Sequence, residues 1–371
     1  MALTRFLPTP SDRMGILWTL LQIDNAVILE YGTEGTTAYA MKTFMIMGMD
    51  VHNKLFATGL DENNVVMGDT TSLEKKIVEL DKKFSPKAIF VMASSVSSMT
   101  GSDVKGVCTY MQDEISAELV VFTQGGFNGD YSSGIEACYT DLVSNFAISQ
   151  FDIENCYNIL GVSAMEHSAK ADVLEIEKLL SDNFKLHKNA VLSFETSLEK
   201  IETMSNAKVN IVLSYEGLKS AEILKERFRT PYVYVLPIGE DATNRWLSDI
   251  AKTIPVSFEI SKIESTKELN RDVLIYASYD KALALKVYME KIGCTILDVI
   301  CTHKIKKQDG IRYLKSEIEK INLFKSAKDT VIFADDNFLK FADDSNVKVS
   351  LKQNRSLLEL QELSEISRKL L

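Results

Sequence analysis

Three loops of this 371-residue chain hold the residues whose types could do chemistry. The first is Glu30-Tyr31-Gly32-Thr33-Glu34-Gly35-Thr36-Thr37. Two glycines and several hydroxyls ahead of a helix read either as a backbone N–H cradle for an anion or as a tight strand-to-helix turn. Neither GxxxxGK[ST] nor GxGxxG is present, so a nucleotide fingerprint is excluded. The second is Ser94-Ser95-Val96-Ser97-Ser98-Met99-Thr100-Gly101-Ser102-Asp103. A serine nucleophile needs a base, and no histidine is near in sequence, so hydrolase chemistry is unsupported. Turn and capping roles fit better, with Ser102 or Asp103 capping the next helix. The third is Gly125-Gly126-Phe127-Asn128-Gly129-Asp130, where three glycines beside an aromatic imply close approach of backbone to a ligand or a partner subunit.

The other candidates are weaker. Cys108, Cys138, Cys156, Cys294 and Cys301 form no CxxC, and each reads as a small buried residue. His52, His167, His187 and His303 fit no ligand pattern and read as surface or packing residues. Asp335-Asp336 and Asp343-Asp344 resemble loop acids.

These loops need elements to hold them, and the sequence supplies a βαβ rhythm. Ala26–Leu29, Ala88–Met92 and Leu119–Phe122 are short apolar runs of strand character. Between them, Leu73, Ile77, Leu80 and Phe84 recur at helical spacing, and a helix is predicted over 103–115. The rhythm restarts with strands at 157–162, 209–213 and 231–235 and helices at 171–180 and 218–228. It restarts again with strands at 273–276, 295–300 and 330–333 and a helix at 281–292. The expected fold is α/β, three Rossmann-like units with parallel sheets packed around a central cleft. The units span 1–150, 151–265 and 266–371, the last closing with an amphipathic helix over 356–371 that packs back on the first. Ligands of such sheets bind beyond the carboxyl ends of the strands, where the three loops fall. Met41, Met45, Met47 and Met49 are near helical spacing and read as core filler.

Composition sets limits. Hydrophobic residues are 46% and charged residues 25%, an ordinary globular mix that excludes a disordered chain or a coiled-coil rod. With 42 Lys+Arg against 52 Asp+Glu the net charge is −10, which argues against nucleic acid or an anionic membrane as partner. No apolar run reaches the ~18 residues of a membrane span. No leader is evident at Met1-Ala2-Leu3-Thr4-Arg5, so a cytoplasmic location is expected.

The order of the loops resembles the nitrogenase component 1-type oxidoreductases over nearly the whole length. Pro8-Thr9-Pro10-Ser11-Asp12-Arg13-Met14-Gly15 looks like that family's opening loop, and Tyr31-Gly32-Thr33-Glu34-Gly35-Thr36 like its HGPxGC loop. Ala57 to Gly68, Pro86 to Val104 and Gly125-Gly126-Phe127-Asn128-Gly129-Asp130 look like three further segments in the same order. Asn158-Ile159-Leu160-Gly161, Asn210 to Ser214 and Leu236-Pro237-Ile238-Gly239 continue it. The opening is nearest to compact members such as the nickel-sirohydrochlorin diamide reductive cyclase and the dark-operative protochlorophyllide reductase subunits.

The resemblance implies an iron–sulfur cluster held between two homologous subunits by thiolates from these loops, and an ATP-dependent iron–sulfur protein as electron donor. Here Thr36 and Ser95 stand at cysteine positions, and the opening loop offers Ser11 and Asp12. Hydroxyls are poor ligands for such clusters. Two readings follow. The chain is the ligand-poor half of a reductase complex, with Asp12 as a carboxylate ligand to a cluster shared with a cysteine-bearing partner. Alternatively it is a cluster-free scaffold or cofactor-binding assembly protein of the same fold. Either way Ser11, Asp12, Thr36 and Ser95 are expected together, with Tyr31, Gly32, Gly35 and Phe127 at the junction with a homologous subunit.

Overall fold

The computed structural model describes residues 9–68, 70–149, 154–163, 166–192, 194–254, 270–304, 310–359 and 363. Pro8, most of the polar stretch 261–271 and most of the expected closing helix lie outside the described residues. None of the described helices is long and apolar enough to cross a membrane.

Three parallel sheets account for the strand runs. The first takes β1 (Ala26–Tyr31), β2 (Leu55–Ala57), β3 (Ala88–Ala93) and β4 (Glu118–Phe122) in the order β2-β1-β3-β4, all parallel. Tyr31 registers with Ala93, and Met92 with Phe122, so these strands end level with one another. The second sheet takes β5 (Glu154–Leu160), β6 (His187–Val191), β7 (Ala207–Val212) and β8 (Tyr232–Tyr234) in the order β8-β7-β5-β6. The third takes β9 (Asp272–Ala277), β10 (Thr295–Cys301), β11 (Arg312–Tyr313), β12 (Thr330–Ala334) and β13 (Val347–Ser350) in the order β11-β10-β9-β12-β13.

The helices follow the predicted stripes. α3 (Thr71–Phe84) comes after α1 (Asp12–Leu20) and α2 (Glu34–Ile46), and it buries Leu73, Ile77 and Leu80 against Leu29 and Val91 of the first sheet. Each such aliphatic side chain contributes about 1.5–3 kcal/mol when fully buried. Short helices α4 (Ser95–Thr100) and α5 (Val104–Met111) follow β3, and α6 (Tyr131–Phe146) follows β4. Asp103, rather than Ser102, caps α5 by accepting from Gly106 N at 2.8 Å.

The methionine reading is corrected. The face of α2 turned inward is Thr37, Ala40 and Phe44, while Met45 and Met47 are exposed along with Tyr39 and Ile46. Apolar spacing marks a stripe but does not say which side of the helix the sheet lies on.

The chain divides into two compact units. One holds the first sheet, Pro10–Ala147, together with Val191–Glu202. The other holds both remaining sheets, Ile148–Ala190 and Thr203 onward. Val191–Glu202 joins the first sheet's unit through a two-residue parallel pair, Ile23–Asp24 with Thr196–Ser197, and through ion pairs from Lys87 to Glu202 and Glu199. Elements of two residues leave no periodicity to read, which is why the sequence rhythm did not reveal them. In the second unit, Ser356 Oγ lies 2.6 Å from Asp172 Oδ1 on α7 (Ala169–Phe184), so the described start of the tail is anchored beside the second sheet.

Candidate functional site

The loops singled out in the sequence follow β1, β3 and β4 at their carboxyl ends, and all lie in the first compact unit. The opening segment joins them. α1 crosses α6 at two glycines: a methyl on Gly15 would overlap the Tyr131 carbonyl, and one on Gly134 the Asp12 carbonyl. Ser11 bridges Asp130, Tyr131 N donates to Pro10 O at 2.8 Å, and Asp12 N donates to Gly129 O at 3.2 Å. The opening loop is thereby stitched along the glycine loop.

Asp12 is 1% exposed. Its Oδ1 accepts from Arg13 N at 2.9 Å and its Oδ2 from Asn128 N at 3.1 Å. Both oxygens therefore serve as backbone acceptors that shape the loop. Arg13 turns the other way and forms a bidentate pair with Glu30 on β1, both buried, with Nη2 2.6 Å from Oε2. Thr37 Oγ1 donates to the same carboxylate at 2.6 Å. This Arg13–Glu30–Thr37 lock was not anticipated from the sequence. The charged residue inside the apolar run Ala26–Tyr31 is the signal that points to it, since a buried carboxylate requires a partner.

Ser11 and Ser95 are brought together. Gly126 has φ +101°, and the face that would carry a Cβ looks at Ser11 Oγ (3.3 Å) and Ser95 Oγ (3.4 Å). Ser95 Oγ donates to Gly125 O at 2.6 Å. Ser94 caps α4 by accepting from Ser97 N at 3.2 Å, and Ser97 Oγ donates to Tyr31 O at 2.7 Å. Gly32 packs directly on the Ser94 side chain, because no larger residue fits there. The HGPxGC-like loop is thus a tight turn closed against the second loop, and Glu34 at the start of α2 opposes an anion there. Thr36 sits on the first turn of α2, 2.9 Å from Thr33 Oγ1. Nothing surrounds the position a Gly35 Cβ would take.

The expected junction residues separate into two kinds. Phe127 is 60% exposed at the tip of the third loop. Tyr31 is 1% exposed, with its ring in the core cluster of Leu29, Leu73 and Val91, and this corrects its placement at a surface. Every side chain of β1 is buried, so alternation carries no signal about which way a residue points.

The donor set does not fit an iron–sulfur cluster held by this chain's own residues. Ser95 and Asp12 are committed to loop hydrogen bonds, and Ser11 and Thr36 offer only neutral hydroxyls. All five thiols are buried. Burial pushes the Cys108 thiol up to about 12 and the Cys138 thiol well above its ordinary value. Cys156 is the third residue of β5 rather than just before a strand, because the strand begins at Glu154, ahead of its expected start at 157. The paired acids are also explained: Asp335 caps a short helix, accepting from Asn337 N, and Asp343 accepts from Ser345 N in a turn.

The second compact unit carries its own polar cluster at strand ends. Lys281, at the start of α8 (Tyr279–Lys291), lies 2.7 Å from Glu166 Oε2 and 3.1 Å from Ser168 Oγ. Burial works against both charges, and their mutual attraction outweighs it, so Lys281 is held above its ordinary value and Glu166 below. Burial pushes the neighbouring Asp172 up.

Comparison with known proteins places these features. The family described as "Nitrogenase component 1 type Oxidoreductase" matches residues 11–347. The nitrogenase iron-molybdenum cofactor biosynthesis protein NifE of Nostoc sp. is 24% identical over 243 residues, 64% of this chain and 50% of that protein. The nitrogenase molybdenum-iron protein alpha chain of Clostridium pasteurianum is 25% identical over 64% of this chain and 45% of its own length. A light-independent protochlorophyllide reductase component of Chloroherpeton thalassium is 22% identical over 50% of this chain and 34% of its own. The chain thus spans about half the length, or less, of these curated relatives. A solved structure of nitrogenase Cp1 at pH 6.5 superposes with a TM-score of 0.76, at 13% identity, over 100% of this chain and 94% of that one.

Proposed function

Because this chain belongs to the nitrogenase component 1 type oxidoreductase family, we propose that it acts as a cluster-free scaffold subunit in cofactor binding or assembly, and that it docks a homologous component 1-like partner. The observation that carries this reading is Asp12. It is the one anionic side chain among the four candidate ligand positions, and both its oxygens hold backbone N–H groups of the surrounding loops. A carboxylate that is 1% exposed and holds a loop N–H on each oxygen serves loop shape, and its burial leaves no open side for a ligand from solvent.

The loop scaffold itself is kept. Strand ends, close glycine crossings and the Arg13–Glu30 lock all preserve a surface at the end of the first sheet. Large apolar side chains are exposed on elements that follow those strand ends: Phe127 after β4, Met99 on α4, and Tyr39, Met45 and Ile46 on α2. Exposed aromatics and methionines are the anchors that protein interfaces favour.

The test is anaerobic co-purification with a homologous component 1-like subunit, followed by iron and sulfide analysis of the wild-type pair and of Asp12→Asn. A stable pair whose iron and sulfide are unchanged by Asp12→Asn supports the scaffold reading. Loss of iron in a folded, still-paired Asp12→Asn complex would instead make this chain the ligand-poor half of a reductase fed by an ATP-dependent iron–sulfur protein.

A further inference from the structure

Far along the chain from those loops, at the amino ends of β5 and β6, a second set of residues has the chemistry of a metal site. Glu154 and Cys156 are two apart on β5, where the register with β7 shifts between Glu154 and Tyr157, and across this irregularity the exposed carboxylate and the buried thiol still reach one point. His187 opens the adjacent edge strand β6. The alignment is held by Asn189 Nδ2 donating to Asn158 Oδ1 at 3.0 Å and by Asn155 Nδ2 donating to Lys185 O at 2.7 Å. One ligand atom from each of Glu154, Cys156 and His187 lies within 4.8 Å of the other two. Glu154 Oε2 is 3.9 Å from His187 Nε2, and Asn206 Nδ2 stands 3.5 Å from the other carboxylate oxygen.

We propose that Glu154, Cys156 and His187 bind one divalent cation of the zinc type. Metal–ligand distances of about 2.0–2.3 Å in a tetrahedral site place ligand atoms about 3.3–3.8 Å apart. The observed spacing closes to that by small torsions of Glu154 and His187, which are both exposed, toward the buried Cys156. The donor set selects the ion. A thiolate and an imidazole suit Zn2+ or Co2+, whereas Ca2+ and Mg2+ require oxygen ligands. Three protein ligands leave a fourth position for water. Binding displaces the Cys156 proton, so affinity rises with pH. The ion would tie edge strand β6 to β5. An unmetallated Glu154–His187 contact, exposed on both sides, stabilises little.

The experiment uses the full chain. Zn2+ is titrated calorimetrically, bound zinc is counted after dialysis, and Co2+ is followed by absorption. We expect one zinc per chain, a zinc-dependent rise in Tm, and a thiolate-to-cobalt charge-transfer band in the near ultraviolet. His187→Ala and Glu154→Gln change exposed residues and leave the fold intact. His187→Ala lowers affinity at least ~100-fold, since losing a group that merely orients a ligand already costs about 10–100-fold. Cys156→Ser abolishes the charge-transfer band. Absence of stoichiometric zinc in the wild type, equal affinity in His187→Ala, or a cobalt complex without the thiolate band would each overturn the proposal.

Discussion

Arg13 and Glu30 form a buried bidentate ion pair that fastens the opening loop to the first strand of the first sheet, with Thr37 of α2 closing the third side of the carboxylate. Asp12, the adjacent residue, fastens the same loop to the glycine loop. Two neighbouring side chains of opposite charge thus hold an opening loop, a strand, a helix and a glycine turn in one arrangement.

Breaking that pair leaves an uncompensated buried charge. Arg13→Ala and Glu30→Gln should each destabilise the protein by about 3–5 kcal/mol. Arg13→Met with Glu30→Leu should recover most of the loss, because an apolar pair removes both desolvation costs. Urea denaturation of the three variants checks this, and a double variant no better than the singles would contradict it.

Gly126 is required by backbone and by space. At φ +101° an alanine is strained, and its methyl would press on Ser11 and Ser95. Gly126→Ala should cost about 1–3 kcal/mol. Ser95→Ala loses a single hydrogen bond to Gly125 O, about 1 kcal/mol. Thermal unfolding should rank the two in that order.

Phe127 should contribute to partner binding and little to folding. Phe127→Asp should weaken capture of the homologous subunit at least tenfold, the effect of a mid-sized hot spot, with Tm unchanged. Tyr31→Asp should instead fail by unfolding, because Tyr31 is core. Sedimentation together with circular dichroism separates these outcomes.

The Lys281–Glu166 pair gives stability a defined pH window. Glu166 is lowered from 4.5, so its contribution is present above that value and is lost as pH falls through its folded value. Lys281 is raised from 10.5, so its contribution is present below that value and is lost as pH rises through its folded value. Asp172, raised by burial, partly offsets the acid limb. Lys281→Met should cost about 1–3 kcal/mol near neutral pH, allowing for screening of the partly exposed Glu166. The difference from wild type should shrink as pH falls below the ordinary Glu value of 4.5 and through the lowered value of Glu166. Urea midpoints across pH measure it, and a pH-independent difference would refute the assignment.

The thiols should resist alkylation in the folded state. With Cys108 pushed up to about 12 and all five cysteines buried, iodoacetamide at pH 8 should label none of them without denaturant. Mass spectrometry of native and unfolded samples decides this.

Local structure was legible because its causes are local. The stripe Leu73, Ile77, Leu80 places α3, and the helix at 218–228 matches its predicted span, since helical periodicity is carried by neighbours in the chain. The strand runs and the loops at their carboxyl ends follow for the same reason, as does the resemblance built on their order. What Asp12 does was not legible, because its partners Asn128 and Gly129 lie more than a hundred residues away. Tyr31 was misplaced because a strand buried on both faces shows no alternation, and Met45 and Met47 because a stripe does not name its inner side. His187 meets Glu154 and Cys156 only across two paired strands, a relation no spacing rule contains. Period and order are written in sequence neighbours; burial, pairing and the use of each polar atom arise only when distant segments share one space.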